Sequence, residues 1–262
     1  MKYDSLGNRM KDYENVSRIY LTKKSPIIIR IDGKAFHTLT KKMNRPFDDD
    51  LIYAMQQTAI YLCKNVMGCK LAYIQSDEIS LLLTDYEKIE SQTWFGNNLQ
   101  KMVSVAASMA TMAFNEALYG SLITEFIGGT GERMEILADA VSKGAMFDAR
   151  AFVLPKDEVC NYFIWRQQDA VRNSIQMVAQ ANFSSKELDG KSQRDCLEML
   201  LNRGVDWNNY PTTKQRGSCI VKSYEFKNGE HLRSVWTVDE NTPLFVEERR
   251  YINRFVYAGS EG

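Results

Sequence analysis

The chain has no surplus of charge: 33 basic side chains balance 33 acidic ones over 262 residues. That excludes a global cationic field, so a nucleic-acid partner has to be met by local patches. Cysteine is scarce and unpatterned. Cys63, Cys69, Cys160, Cys196 and Cys219 are an odd number in apolar surroundings, and no second close pair gives zinc-ligand spacing. They read as buried free thiols in a reducing compartment. The opening MKYDSLGNRMKDYE lacks the apolar stretch of a leader. No run is long enough to span a bilayer, so the expected location is the cytoplasm. No internal repeat, low-complexity tract or flexible linker is visible.

Against these absences stands SPIIIRIDGKAFHTLTKK, residues 25–42. A β-branched run (Ile27, Ile28, Ile29, Ile31) reads as a buried strand and ends at Asp32-Gly33-Lys34. A helix precedes it over 4–20. RPFDDDLIYAMQQTAIYLCKNV follows, with Leu51, Met55, Ala59, Leu62 and Val66 on one face and acids in the first turn, an amphipathic helix. KLAYIQSDEISLLLTD predicts two short strands, Leu71 to Gln75 and Ile79 to Thr84, joined at Ser76-Asp77-Glu78. A helix is predicted over 97–119 and a strand in AMFDARAFVLP. The order β-α-β-β-α-β is the split-βαβ, ferredoxin-like pattern of an α+β fold. Beyond Pro155, helices near 157–180 and 193–203 and two C-terminal strand-like segments complete an α/β elaboration.

In such a sheet the first and third strands are antiparallel neighbours, so Asp32 and Asp77-Glu78 converge at one sheet edge. Close carboxylates repel unless one is protonated or a cation lies between them. Mg²⁺ takes oxygen ligands of this kind together with substrate phosphates. Gly33 allows close backbone approach, and the amides of Lys34, Ala35, Phe36 and His37 are placed to face a triphosphate. Together these suggest two-metal phosphoryl transfer. The plainer alternative stays open: Asp32 opens a turn, and the other two acids decorate a hairpin. Arg30, Lys34, Arg45 and Lys101 are the candidate accompanying cations, and His37 is one of only two histidines.

RIDGKAFH, QSDEISLLL, FDAR, WRQQDAVRNS and NNYPTTKQRG, in that order, resemble the motifs of the tRNA-His guanylyltransferase superfamily. The resemblance covers residues 4–225. It implies a polymerase-like palm that adds nucleotides to the 5′ end of tRNA in the 3′-5′ direction, using ATP and GTP or other nucleoside triphosphates. It further implies two Mg²⁺ ions held by Asp32, Asp77 and the Gly33 carbonyl, with Glu78 as a supporting acid. Lys34 to His37, Ser76, Arg45, Asp48 and Lys101 match nucleotide-site positions. Where eukaryotic members carry His-Ile-Asn-Asn, this chain has Val171, Arg172, Asn173 and Ser174, and only Asn173 is kept. The chain is therefore most similar to the bacterial and archaeal guanylyltransferase-like proteins, which repair 5′-truncated tRNAs.

The same resemblance makes Arg150, Arg172, Asn173, Lys214 and Arg216 candidate RNA contacts and implies a homotetramer. Residues 1–155 are then expected to form the catalytic core. Residues 156–262 are expected to pack on it and serve RNA contact and oligomerisation. Two other classes compete: a palm-fold nucleotide cyclase, expected to carry a Gly-Gly-acidic-acidic-Phe hairpin where this chain has QSDEIS, and a non-catalytic RNA-binding module, which would not need both Asp32 and Asp77.

Overall fold

The computed structural model describes residues 5–88, 90–129, 131–227 and 231–257. Helix α1 (Ser5–Val16) precedes strand β1 (Ile27–Gly33), which is followed by the single turn α2 (Phe36–Leu39) and by α3 (Asp49–Asn65). Asp48 caps α3 by accepting from the amides of Asp50 and Leu51, and Asp49 and Asp50 place negative charge in its first turn. Strands β2 (Cys69–Gln75) and β3 (Glu78–Leu83) form a hairpin with only Ser76 and Asp77 between them.

Helix α4 (Leu99–Gly128) runs nine residues past the helix expected to Tyr119, because its apolar face continues through Leu118 and Leu122. It stops at Gly128-Gly129, and α5 (Gly131–Lys143) returns towards β4 (Phe147–Val153). Then come α6 (Lys156–Asn182), α7 (Ser185–Leu188), α8 (Gln193–Asn202) and α9 (Thr212–Arg216). Strands β5 (Ser218–Lys227) and β6 (His231–Asp239) and helix α10 (Arg250–Val256) complete the chain.

The strands form one antiparallel sheet in the order β4-β1-β3-β2-β5-β6. β1 lies between β3 and β4, as the β-α-β-β-α-β order requires. The C-terminal strands extend the same sheet, because β5 pairs with the free edge of β2.

Side chains alternate across the sheet and sort the core into two layers. Ile27, Ile29 and Ile31 pack with Met55, Leu62, Met102 and Phe114 of α3 and α4. Ile28, Leu71, Tyr73 and Leu82 face Val159, Tyr162 and Phe163 of α6, together with Phe245 and α10. A third cluster joins the far flank of α6 to α8 through Ile175, Val178, Cys196 and Leu200. Arg30 and Asp32 share the α6 face with Ile28, so the sheet end carrying Asp32 opens beneath α6. All five cysteines are buried and free. No helix among the described residues is long and apolar enough to cross a membrane.

Candidate active site

Register places three acids in one row: Asp32 of β1 pairs with Glu78 of β3 on one side and with Asp148 of β4 on the other. Asp77 joins them from the β2–β3 turn, where its carbonyl accepts from the Gly33 amide at 3.1 Å. The four carboxylates differ in what neutralises them. Arg166 of α6 grips Glu78 through Nε at 2.8 Å and a terminal nitrogen at 2.9 Å. Arg150 lies 3.3 Å from Asp148. Among the described residues, no basic side chain pairs with Asp32 or Asp77. Burial pushes the Asp77 carboxyl above its ordinary value, and the negative charge of Asp32 adds to the shift, against hydrogen bonds from Ser76 and its own backbone. Two facing carboxylates without a cation are the donor set that suits a hard divalent ion. Asp32, Asp77 and the neighbouring Gly33 carbonyl therefore fit Mg²⁺.

The backbone around this pair is constrained. Ser76 (φ 48°) and Ala35 (φ 54°) both hold left-handed conformations, which cost energy outside glycine and gather at functional sites. Gly33 is needed for a reason the sequence did not show. A Cβ there would lie 2.3 Å from Cδ2 of Phe36, whose ring packs edge-on to Phe114 and Phe147 at 5.3 and 5.1 Å. Replacing Gly33 by alanine must displace that ring and the loop it anchors. The expected cost is about 1–3 kcal/mol of stability together with at least a tenfold loss of activity. Denaturant unfolding and turnover measured on one preparation check both.

A cleft of about 630 Å³ opens over the acids. Its floor is Asp32, Gly33 and Asp77; one wall is the 35–48 segment with Ala35, Phe36, His37 and Arg45; Met177 and Gln180 of α6 face it. The amide of Lys34 is already donated to the Met146 carbonyl at 2.8 Å. Ala35, Phe36 and His37, heading the single turn of α2, remain to face an anion. Ser76 and Asp48 line the cleft, but the Asp48 carboxylate is committed. It caps α3, accepts from Asn44, and receives two guanidinium nitrogens of Arg133 at 2.7 and 2.8 Å. Although burial opposes it, Arg133 holds this carboxyl below the usual range.

The remaining candidates are dispersed. Arg30 lies under Trp165, 6.0 Å from the ring centroid. Lys101, in the first turn of α4, is exposed and outside the cleft lining. Arg172 pairs with Asp169 on the outer side of α6. Lys214 pairs with Asp49 at 2.6 Å, and the Arg216 guanidinium donates to the Thr242 carbonyl. Asn173 lines a narrower slot beside the cleft.

Sequence reasoning missed Arg133 and Arg166. The first carried no signal, lying in a segment without a motif. The second stood inside the WRQQD segment, where nothing in the sequence showed that it would pair with Glu78.

The class that this fold and its acidic cleft define is that of a nucleotidyltransferase. The family model "tRNAHis guanylyltransferase" (Thg1) matches residues 7–155, and the chain belongs to that family. A bacterial tRNA(His) guanylyltransferase (Thg1)-like protein, solved in complex with ATP, is 48% identical over 97% of this chain and all of its own, with a TM-score of 0.82. The same kind of protein in complex with GTP gives a TM-score of 0.80 at the same identity and coverage. The tRNA(His) guanylyltransferase of Saccharomyces cerevisiae is 25% identical over 82% of this chain and 88% of its own length.

Proposed function

We propose that this protein is a cytoplasmic, template-dependent 3′-5′ polymerase that restores truncated 5′ ends of tRNA. The observation that carries this reading is the unneutralised pair Asp32 and Asp77 on the floor of a nucleotide-sized cleft. It is supported by the family, by the ATP and GTP bound to the bacterial relative, and by the loss of three of the four residues of the eukaryotic His-Ile-Asn-Asn sequence. The strand order β4-β1-β3-β2, with both acids at one end, supports reading residues 1–155 as a polymerase-like palm. Residues 156–262 would add RNA contacts, through Arg150 of the core with Arg172, Asn173, Lys214 and Arg216, and the surfaces of a homotetramer.

Asp32, Asp77 and the Gly33 carbonyl would hold two Mg²⁺ ions, which supply a lowered pKa to the attacking oxygen and charge stabilisation to the leaving one. The chain's own residues position the reactants. The α2 amides and Arg45 orient the triphosphate in line, and α6 closes the far side of the cleft. Glu78, held by Arg166, supports the pair from the sheet. The 5′-phosphate of the tRNA displaces pyrophosphate from ATP, leaving an adenylylated 5′ end. The 3′-hydroxyl of the incoming nucleoside triphosphate then attacks that 5′-phosphate and displaces AMP. Pairing with the opposite strand selects the nucleotide, so the protein reads duplex shape and phosphates.

The test is to incubate tRNA lacking its first nucleotide with Mg²⁺, ATP and labelled GTP. Label is expected at the 5′ end with the wild type and is lost with Asp32→Ala or Asp77→Ala. Absence of label with wild type sinks the proposal, as does retention of label by both variants.

A further inference from the structure

Residues 40–48 join α2 to α3 without regular secondary structure of their own, and they carry Arg45 along one wall of the cleft. Helix α5 lines no part of that cleft, yet it is tied to the wall at three points. Lys143 donates to the Thr38 carbonyl at 3.2 Å, Asp139 pairs with Lys42 at 2.8 Å, and Arg133 pairs with Asp48 at 2.7 Å. We propose that Arg133 is a positioning residue for the nucleotide: through the Asp48 carboxylate it fixes residues 44–48 so that Arg45 faces the triphosphate. The inference rests on the nucleotidyltransferase reading and extends it to a helix outside the cleft.

The three ties are unequal. Lys42 and Lys143 keep 60% and 33% of their side chains exposed, and ion pairs in water hold little. The Asp48 side chain is 1% exposed. Its Oδ2 accepts from the Asn44 amide at 2.9 Å, and its Oδ1 from the amides of Asp50 and Leu51 at 3.1 and 3.2 Å. One carboxylate thus fastens the wall to the first turn of α3. A buried carboxylate stays ionised only beside a cation. The Arg133 fork reaches both oxygens, at 2.8 and 2.7 Å, while its Nε donates to Asp50 at 3.1 Å. The fork therefore sets the direction of the carboxylate as well as its charge. Arg133 is itself held in place, because it shares a face of α5 with Leu137 and Ala140, which are buried in the cluster that contains Phe36.

What this fixes is Arg45. The flanks of the wall are anchored by apolar contacts: Met43 is buried, and Phe47 packs edge-on to Tyr210 at 5.4 Å. Between them Arg45 is exposed along the cleft and pairs with no acid among the described residues. Without Arg133, Asp48 has to turn to water or take up a proton, and either change loosens the Asn44 tie. Arg45 then spreads over orientations of which only some face the triphosphate, and affinity falls by the fraction lost. Lysine in place of Arg133 supplies the charge from a single point and cannot grip both oxygens. Charge and direction are thereby separable at one position.

The experiment compares full-chain wild type, Arg133→Ala and Arg133→Lys in three measurements. These are GTP addition to tRNA lacking its first nucleotide, calorimetric binding of ATP with Mg²⁺, and melting temperature. Both variants are expected to raise the KM for GTP and the Kd for ATP about tenfold, with kcat within about twofold of wild type. Arg133→Ala is expected to melt lower, and Arg133→Lys to recover most of that loss. An arginine that only stabilises the fold would be replaced by lysine in every measurement. The proposal is overturned if Arg133→Lys keeps the wild-type KM and Kd, if kcat falls while KM holds, or if the lysine variant is as unstable as the alanine one. Should Arg133→Ala fail to fold, Arg133→Lys decides alone. A wild type that binds ATP but adds no GTP sinks the polymerase reading, and the contrast in Kd then decides the role of Arg133. A wild type that binds no ATP sinks both.

Discussion

Replacing Asp77 by asparagine will abolish nucleotide addition and, in metal-free buffer, raise the melting temperature. Both effects follow from one geometry. Asp77 is pushed above the ordinary carboxylate value by burial and by Asp32, so its ionised form is disfavoured in the folded chain. The folded state then binds more protons than the unfolded state between the ordinary value, near 3.9, and the raised one. Stability falls as pH rises through that window, and the loss is complete once pH passes the raised value. Asparagine removes the cost, and the melting temperature should rise by about 2–4 °C for each kcal/mol recovered. Activity should fall by about 10³-fold, since the donor set needed for a divalent ion is gone. Mg²⁺ reverses the order: it should stabilise wild type by mass action on the folded form and leave Asp77→Asn unmoved. Differential scanning fluorimetry with and without Mg²⁺ gives the measurement. A wild-type melting temperature indifferent to Mg²⁺, or a less stable Asp77→Asn protein, would refute the cation-free acid pair.

That pair was legible in the sequence because it depends on topology alone. The β-branched run up to Asp32 and the alternation on either side of Ser76-Asp77 identify β1, β2 and β3, and the order of elements then makes β1 and β3 neighbours. What stayed hidden depends on side chains meeting across long separations. Asp48 looked like a substrate contact, whereas Arg133, 85 residues away, claims its carboxylate. Gly33 suggested close backbone approach to a ligand, and the body that excludes a Cβ is the ring of Phe36. The extension of the sheet by β5 and β6 was equally invisible. A strand's pattern records that one face is buried, but not which free edge it will pair with.

Arg166→Ala is the second substitution expected to act strongly, and it acts through charge rather than lost volume. Arg166 and Glu78 retain 8% and 10% side-chain exposure, and the arginine also contacts Asp169 and lies 4.4 Å from the centre of the Trp165 ring. Removing the guanidinium leaves Glu78 buried and ionised one strand from Asp32 and one residue from Asp77. Breaking a buried pair from one side costs about 3–5 kcal/mol, because the remaining charge keeps its desolvation penalty. If that penalty is the cause, neutralising the acid must return most of the loss. Arg166→Met with Glu78→Gln is expected to be within about 1–2 kcal/mol of wild type, whereas Arg166→Met alone should resemble Arg166→Ala. The same reasoning makes the deficit of Arg166→Ala smaller in Mg²⁺, since a divalent cation can neutralise the released carboxylate. Urea unfolding of wild type, Arg166→Met, Glu78→Gln and the double variant, each with and without Mg²⁺, closes the cycle. Additive single effects would show that Arg166 matters for its packing on Trp165 and not for holding Glu78. Coupling of the expected size would establish that Arg166 on α6 acts by holding the charge of Glu78, the acid paired with Asp32 across the sheet.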